Sequence, residues 1–160
     1  MPHLAVKRTQ FLVAVGAAGV AALAPHLAQA QSYAVTHGDA DWLRILGPER
    51  YAILRRNGTE PAFSSALIKE MRAGTYRCAG CDRAVFSSTV KYDSGDGWPS
   101  FWTVIPNATR TRADYDLIEA RTEVHCGRCG GHLGHIFDDG PAPTHLRYCI
   151  DGLALRFVPS

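Results

Sequence analysis

Cys78-Ala79-Gly80-Cys81 and Cys126-Gly127-Arg128-Cys129 decide how this chain folds. Each CxxC pair sets two sulfurs on one tight turn. Two such turns can close a tetrahedral zinc site, with Cys78, Cys81, Cys126 and Cys129 as its ligands. Residues 82–125 lie between the pairs, a separation that suits two knuckles facing each other. A disulfide framework is the competing reading, because an exported chain meets an oxidising compartment. Against it stands the odd count of 5 cysteines. The fifth, Cys149, stands apart in Leu146-Arg147-Tyr148-Cys149-Ile150-Asp151. It is either an inert buried thiol or the seat of the chemistry.

Around the knuckles the pattern is that of strands separated by turns. Gly74-Thr75-Tyr76-Arg77 leads into the first pair and Ala84-Val85-Phe86 leaves it. Leu117-Ile118-Glu119-Ala120 and Thr122-Glu123-Val124-His125 approach the second. Leu146 to Ile150 and Leu153 to Val158 alternate like antiparallel strands. Asp93-Ser94-Gly95-Asp96-Gly97, Asp138-Asp139-Gly140-Pro141 and Asp151-Gly152 mark the turns between them. Upstream, Trp42, Leu43, Ile45 and Leu46 fit the apolar face of a short helix that Gly47-Pro48 stops. A second short helix is expected from Pro48 to Arg56, with Tyr51, Ile53 and Leu54 inward and Asn57-Gly58 ending it. Ser65 to Met71 has room for one more helical turn. The fold expected is a small, mainly β domain over residues 41–160, with two antiparallel sheets and short N-terminal helices, joined by a linker over residues 31–40.

Residues 1–30 read as a secretory signal peptide. Lys7 and Arg8 precede the apolar run Phe11–Ala24, and Ala28-Gln29-Ala30 is a small-x-small cleavage pattern. The run is short for a bilayer span, and a single arginine leaves Sec and Tat export both open. The expected location is periplasmic or otherwise extracytoplasmic. Without the leader the balance is 15 basic against 15 acidic residues. A neutral chain has no electrostatic footprint for nucleic acid or an anionic membrane. A monomer without either partner is expected.

Three constellations could carry chemistry. On a strand, Arg147, Cys149 and Asp151 share one side. A guanidinium two residues from a thiol favours the thiolate, which is the nucleophile. His132-Leu133-Gly134-His135 places two histidines on one face of a helical turn, or on a glycine-enabled bend. With four cysteines already available to a metal, proton donation suits them better than ligation. Gly97-Trp98-Pro99-Ser100-Phe101-Trp102 could wall an apolar pocket at a loop, or pack beneath it. Asp138 and Asp139 read first as turn formers, and Glu123 as a solvent-facing strand residue.

Taken together, these pieces resemble the methionine-R-sulfoxide reductases of B type, the SelR domain, from about Asp41 to the C-terminus. The resemblance rests on the two CxxC pairs, Lys91-Tyr92-Asp93-Ser94-Gly95 with Gly97-Trp98-Pro99-Ser100-Phe101, His132-Leu133-Gly134-His135, Phe137-Asp138-Asp139-Gly140-Pro141 and Arg147-Tyr148-Cys149-Ile150. It implies two antiparallel sheets, a structural zinc remote from the active site, and reduction of protein-bound methionine-R-sulfoxide. It assigns Cys149 as the nucleophile and Trp98 to the substrate methyl group. His132, His135, Arg147 and Asp139 would form the polar side, with Asp151 and Phe101 counted at the substrate. Two positions depart from the family pattern. Asp96 stands where many relatives carry a resolving cysteine, which implies regeneration by an external thioredoxin-like or small-thiol reductant. Asp151 stands where Asn is usual, and a carboxylate there opposes thiolate formation unless it is paired with Arg147 or protonated. The competing reading is a non-catalytic zinc-knuckle module that binds a protein partner. A cysteine hydrolase is a third, without an oxyanion loop or Cys-His-Asn order to mark it. Exposure of Cys149 beside both His135 and Trp98 separates enzyme from binding module.

Overall fold

The computed structural model describes residues 32–115 and 120–160. The leader reading and the strand expected over Leu117–Glu119 lie outside the described residues. Helix α1 (Asp39–Arg56) is one helical stretch bent at Gly47, whose φ of 72° leaves the helical region. Pro48 has no N–H to continue the ladder, so the bend falls where the sequence places it. Asn57 ends the helix in the left-handed conformation, its N–H bonded to Ala52 O. Trp42, Leu46, Ile53 and Leu54 are buried. Leu43 and Ile45, expected on the inner face, are instead 45% and 44% exposed. The i, i+4 pair Trp42 and Leu46 takes the contact, and 100° per residue turns the two neighbours aside. The helical turn expected after Ser65 is a 3-10 turn, Ala66–Lys69.

Nine strands follow: β1 (Gly74–Cys78), β2 (Ala84–Ser87), β3 (Lys91–Tyr92), β4 (Ser100–Phe101), β5 (Thr109–Asp114), β6 (Arg121–Cys126), β7 (His132–Phe137), β8 (Arg147–Ile150) and β9 (Leu155–Pro159). They form a three-stranded sheet, β2-β1-β9, and a six-stranded sheet, β3-β4-β8-β7-β6-β5. Every pairing is antiparallel. The architecture is therefore mainly β with two sheets, as expected. Leu153, expected in the last strand, lies in the 3-10 turn Gly152–Ala154, where Ala154 N bonds Asp151 O. Aromatic rings fill the space between the sheets: Phe86 stacks on Phe101 at 4.2 Å, and Tyr76 meets Phe101 edge-on at 4.9 Å. All three are fully buried, and burying each ring contributes about 2–3 kcal/mol. Phe101, expected to touch substrate, is thus core: its cross-strand partner is Tyr148, on the face opposite Cys149.

The two knuckles are conformational copies. Cys78 N bonds Arg83 O and Cys78 O accepts from Asp82 N; Cys126 N bonds Gly131 O and Cys126 O accepts from Gly130 N. Asp82 and Gly130 both take a left-handed φ, 60° and 69°. One knuckle closes the β1–β2 hairpin of the small sheet, the other the β6–β7 hairpin of the large one. Their sulfurs meet: Cys78 and Cys129 lie 3.7 Å apart, Cys81 and Cys126 3.5 Å. All four fall within 4.8 Å of one another and could hold a metal ion.

His132 and His135 sit on strand β7, not on a helical turn. Glu123 pairs with His135 and Val124 with Gly134, but His125 pairs with His132, so Leu133 is the extra residue of a β-bulge. In a regular strand, residues three apart face opposite sides; one inserted residue returns both histidines to the same face. Their rings are 5.4 Å apart. Gly134 makes the bulge possible. Its φ is 149°, and a Cβ there would run into the carbonyl oxygen of Cys149. We predict that Gly134→Ala costs about 3 kcal/mol or more of stability, from backbone strain plus the clash. Denaturant unfolding followed by circular dichroism checks this; a loss under about 1 kcal/mol would contradict the assignment.

Candidate active site

Cys149 sits in the middle of a row of cross-strand partners. Across β3, β4, β8, β7, β6 and β5 run Tyr92, Ser100, Cys149, His135, Glu123 and Arg112. Partners in a ladder share one face, so the sheet itself sets His135 beside Cys149. The bulge adds His132 to that face. Trp98 arrives from the loop before β4, its indole N–H donating to Glu60 O at 3.2 Å. Together Trp98, His132, His135, Cys149 and Asp151 line a cavity of about 270 Å³, with Phe137 and Arg121 also on its wall. A larger groove of about 870 Å³ runs beside α1, but neither Cys149 nor either histidine lines it. We therefore place the chemistry in the smaller cavity. Cys149 is half-buried rather than sealed among apolar groups. Cys149, half-buried and not exposed, lines the same cavity as His135 and Trp98.

The electrostatics of the cavity differ from the sequence expectation. Arg147 was expected to favour the thiolate. It does act in that direction, by charge and by hydrogen bond, but its Nε and Nη2 also donate to the two oxygens of Asp139, both at 2.7 Å, and its Nη1 donates to Asp96. Burial pushes the Cys149 thiol up to about 11, Asp96 adds to the rise, and Arg147 opposes it without prevailing. Asp151 pairs not with Arg147 but with Thr59 Oγ1 at 2.8 Å and Glu60 N at 3.1 Å. Burial raises its carboxyl above the usual range.

Carboxylates stand behind both histidines. His132 Nδ1 lies 2.9 Å from Glu123 Oε1, and Glu123 also accepts from Arg112. The His132 Nε2 points toward Asp151 at 3.7 Å. His135 Nε2 lies 2.6 Å from Asp114, which pairs with Arg121 at 2.8 Å. Burial lowers the His135 imidazole below its usual range, against the Asp114 hydrogen bond. Burial also pushes Glu123 up, but His132 and Arg112 outweigh it and hold the carboxylate low.

Glu123, expected to face solvent, is 2% exposed. Its signal was available in the alternation of β6: Glu123 and His125 share a face with the cavity, whereas Val124 faces the other way. Glu60 was read only as loop. It is buried, and its carboxylate accepts from Gly152 N at 2.6 Å and Leu153 N at 3.0 Å. Asp114 and Arg121, ladder partners at one end of the β5–β6 pair, carried no motif.

The chain matches known proteins across this same region. Residues 46–159 match the SelR domain. Over 127 residues the chain is 50% identical to a protein of Leptospira interrogans serogroup Icterohaemorrhagiae serovar Lai named peptide methionine sulfoxide reductase MsrB, covering 79% of this chain and 97% of that protein. Proteins of the same name from Agrobacterium fabrum and Methanosarcina barkeri are 48% and 47% identical; the matches cover 78% of this chain in each case and 93% and 88% of those proteins. Both knuckles, Trp98, the bulged histidine strand and Cys149 all fall inside the matched span, and the chain belongs to the SelR domain family.

Proposed function

We propose that this chain reduces methionine-R-sulfoxide in oxidised proteins to methionine, with Cys149 as the nucleophile. The observation that carries the reading is the cavity: three separate segments bring a half-buried thiol, two carboxylate-backed histidines and the Trp98 indole to one place. The indole suits a methyl group and the histidines suit a polar oxygen. The relatives' shared name, peptide methionine sulfoxide reductase, supports the same chemistry.

The resting thiol carries the proton that the reaction needs. With Cys149 pushed up and His135 pushed down, both are neutral at working pH. Cys149 passes its proton to its ladder partner His135 and attacks the sulfoxide sulfur. His135 returns that proton to the oxygen, which ends on Cys149 as a sulfenic acid while the S–O bond breaks and methionine leaves. Atoms balance as thiol plus sulfoxide giving sulfenic acid plus thioether. His132, braced by Glu123 and Arg112, supplies positive potential at the oxygen. The remaining four cysteines sit in the knuckle cluster and none lines the cavity. The sulfenic acid is therefore reduced by two external thiols, from a thioredoxin-like protein or a small thiol, releasing water and a disulfide. The metal is zinc, in agreement with its four-sulfur donor set, and acts structurally. Residues 1–30 direct the chain to an extracytoplasmic compartment, where it repairs oxidised proteins as a monomer.

Four outcomes are expected. Cys149→Ser loses turnover by about a thousandfold or more while retaining its metal; an active Cys149→Ser protein would sink the reading. After one turnover without reductant, a dimedone adduct forms on Cys149, and mass spectrometry finds no intramolecular disulfide. Glu123→Gln lowers kcat by about 10–100-fold, the range for a group that orients a catalytic residue, with metal content unchanged. Metal analysis returns one zinc per chain, and stripping it with a chelator lowers the unfolding temperature; a stripped protein of equal stability would contradict the structural role.

A further inference from the structure

Asp96 occupies a turn position that the proposed reaction does not use, yet its carboxylate is tied into the site from two sides. It accepts from Arg147 Nη1 and from the Ser94 hydroxyl. Ser94 Oγ in turn lies 2.7 Å from Ser100 Oγ, and Ser100 is the cross-strand partner of Cys149. Ser100 is fully buried, so this chain of hydroxyls anchors the Asp93–Gly97 turn to the floor of the site.

The arrangement divides one guanidinium between two carboxylates. Asp139 takes Nε and Nη2, Asp96 takes Nη1, and the Phe137 ring covers one face of the guanidinium at 4.4 Å. One positive charge faces two negative ones. Arg147 is the cation nearest to Cys149 in sequence, and its charge is already neutralised. The two carboxylates are not equivalent: the Asp139 side chain is 59% exposed and Asp96 33% exposed. Water screens the outer one more strongly, so the inner one acts on the sulfur with less attenuation.

We infer that Asp96 is a positioning residue that pairs with the Arg147 guanidinium, offsets its charge beside the Cys149 sulfur and keeps that sulfur unreactive while the cavity is empty. The inference rests on the reading of Cys149 as nucleophile. The direction of the thiol's displacement, with Asp96 adding to it and Arg147 opposing it, supports the geometry. Of the other groups facing the cavity, Arg121 on β6 is paired with Asp114. Asp151, beyond the end of β8, is bonded to Thr59 and Glu60. His132 and His135 on β7 are bonded to Glu123 and Asp114. Tyr92 lies one strand beyond Ser100. Only Asp96 competes directly for the guanidinium on the inner side. An idle thiolate is oxidised by hydrogen peroxide to a sulfenic acid, and a second peroxide takes that to the sulfinic acid, which thiols do not reduce. A thiol held neutral until substrate enters avoids that loss.

The test is the pH profile of Cys149 alkylation by iodoacetamide in the metal-loaded protein, read on the Cys149 peptide by mass spectrometry. Asp96→Asn is expected to move the midpoint acidward by about one unit, giving roughly tenfold faster alkylation below it. Asp96→Ser should do the same, and Asp96→Glu should stay near wild type. Asp139→Asn should move the midpoint less than Asp96→Asn. Over-oxidation of Cys149 by hydrogen peroxide should quicken in parallel. An unchanged midpoint in both Asp96→Asn and Asp96→Ser, or an equal or larger shift in Asp139→Asn, overturns the inference. Alkylation does not depend on sulfoxide turnover, so this result and the proposed activity stand or fall separately.

Discussion

Two antiparallel sheets share few strand connections, and the four-sulfur cluster is what ties one to the other. The β1–β2 knuckle belongs to the small sheet and the β6–β7 knuckle to the large one. Their turns have the same backbone hydrogen bonds and the same left-handed residue after the second cysteine. Everything the site requires lies on the large sheet and its adjoining loops, and the cluster fixes where the small sheet presses its aromatic face against it. Arg55 adds to this clasp, donating to Cys129 O at 3.0 Å while its guanidinium covers Trp42 at 4.8 Å. The helix, the cluster and both sheets thus meet at the knuckles.

The site itself is built by register. A ladder running from Tyr92 to Arg112 places thiol, imidazole and carboxylate on neighbouring strands, so no loop has to bring them together. One inserted residue, Leu133, decides that His132 joins them. Without it the two histidines would face opposite sides of the sheet, one in the cavity and one in the core. Precision of this kind comes from main-chain hydrogen bonds, which are less adaptable than loops and hold side chains within narrower limits.

How much of this was legible in the sequence depended on whether a residue's role was local. The knuckles were legible because CxxC spacing states its own geometry, and Gly47-Pro48 and Asn57-Gly58 marked the helix bend and end for the same reason. Cys149 was legible by subtraction. The histidine pair was legible with two settings open, a helical turn or a glycine-enabled bend; the structure takes the second, as a β-bulge at Leu133-Gly134. Glu123 and Asp114 were missed because each is defined by a partner on another strand. Arg147 acts on Cys149 with the sign its place in the sequence suggests, but nothing local announces that Asp96 and Asp139 converge on it or that burial outweighs it. Phe101 was drawn into the pocket by its neighbours in sequence, although alternation along β4 turns it to the core.

Glu60 is one carboxylate with a disproportionate reach. Beneath the site it accepts two backbone N–H groups of the Gly152–Ala154 turn, while its own carbonyl receives Trp98 and its N–H reaches Asp151. The wall carrying Thr59 and the indole is thereby tethered before any ligand arrives. In terms of conformational entropy, the ordering cost of that wall is met during folding and not at binding.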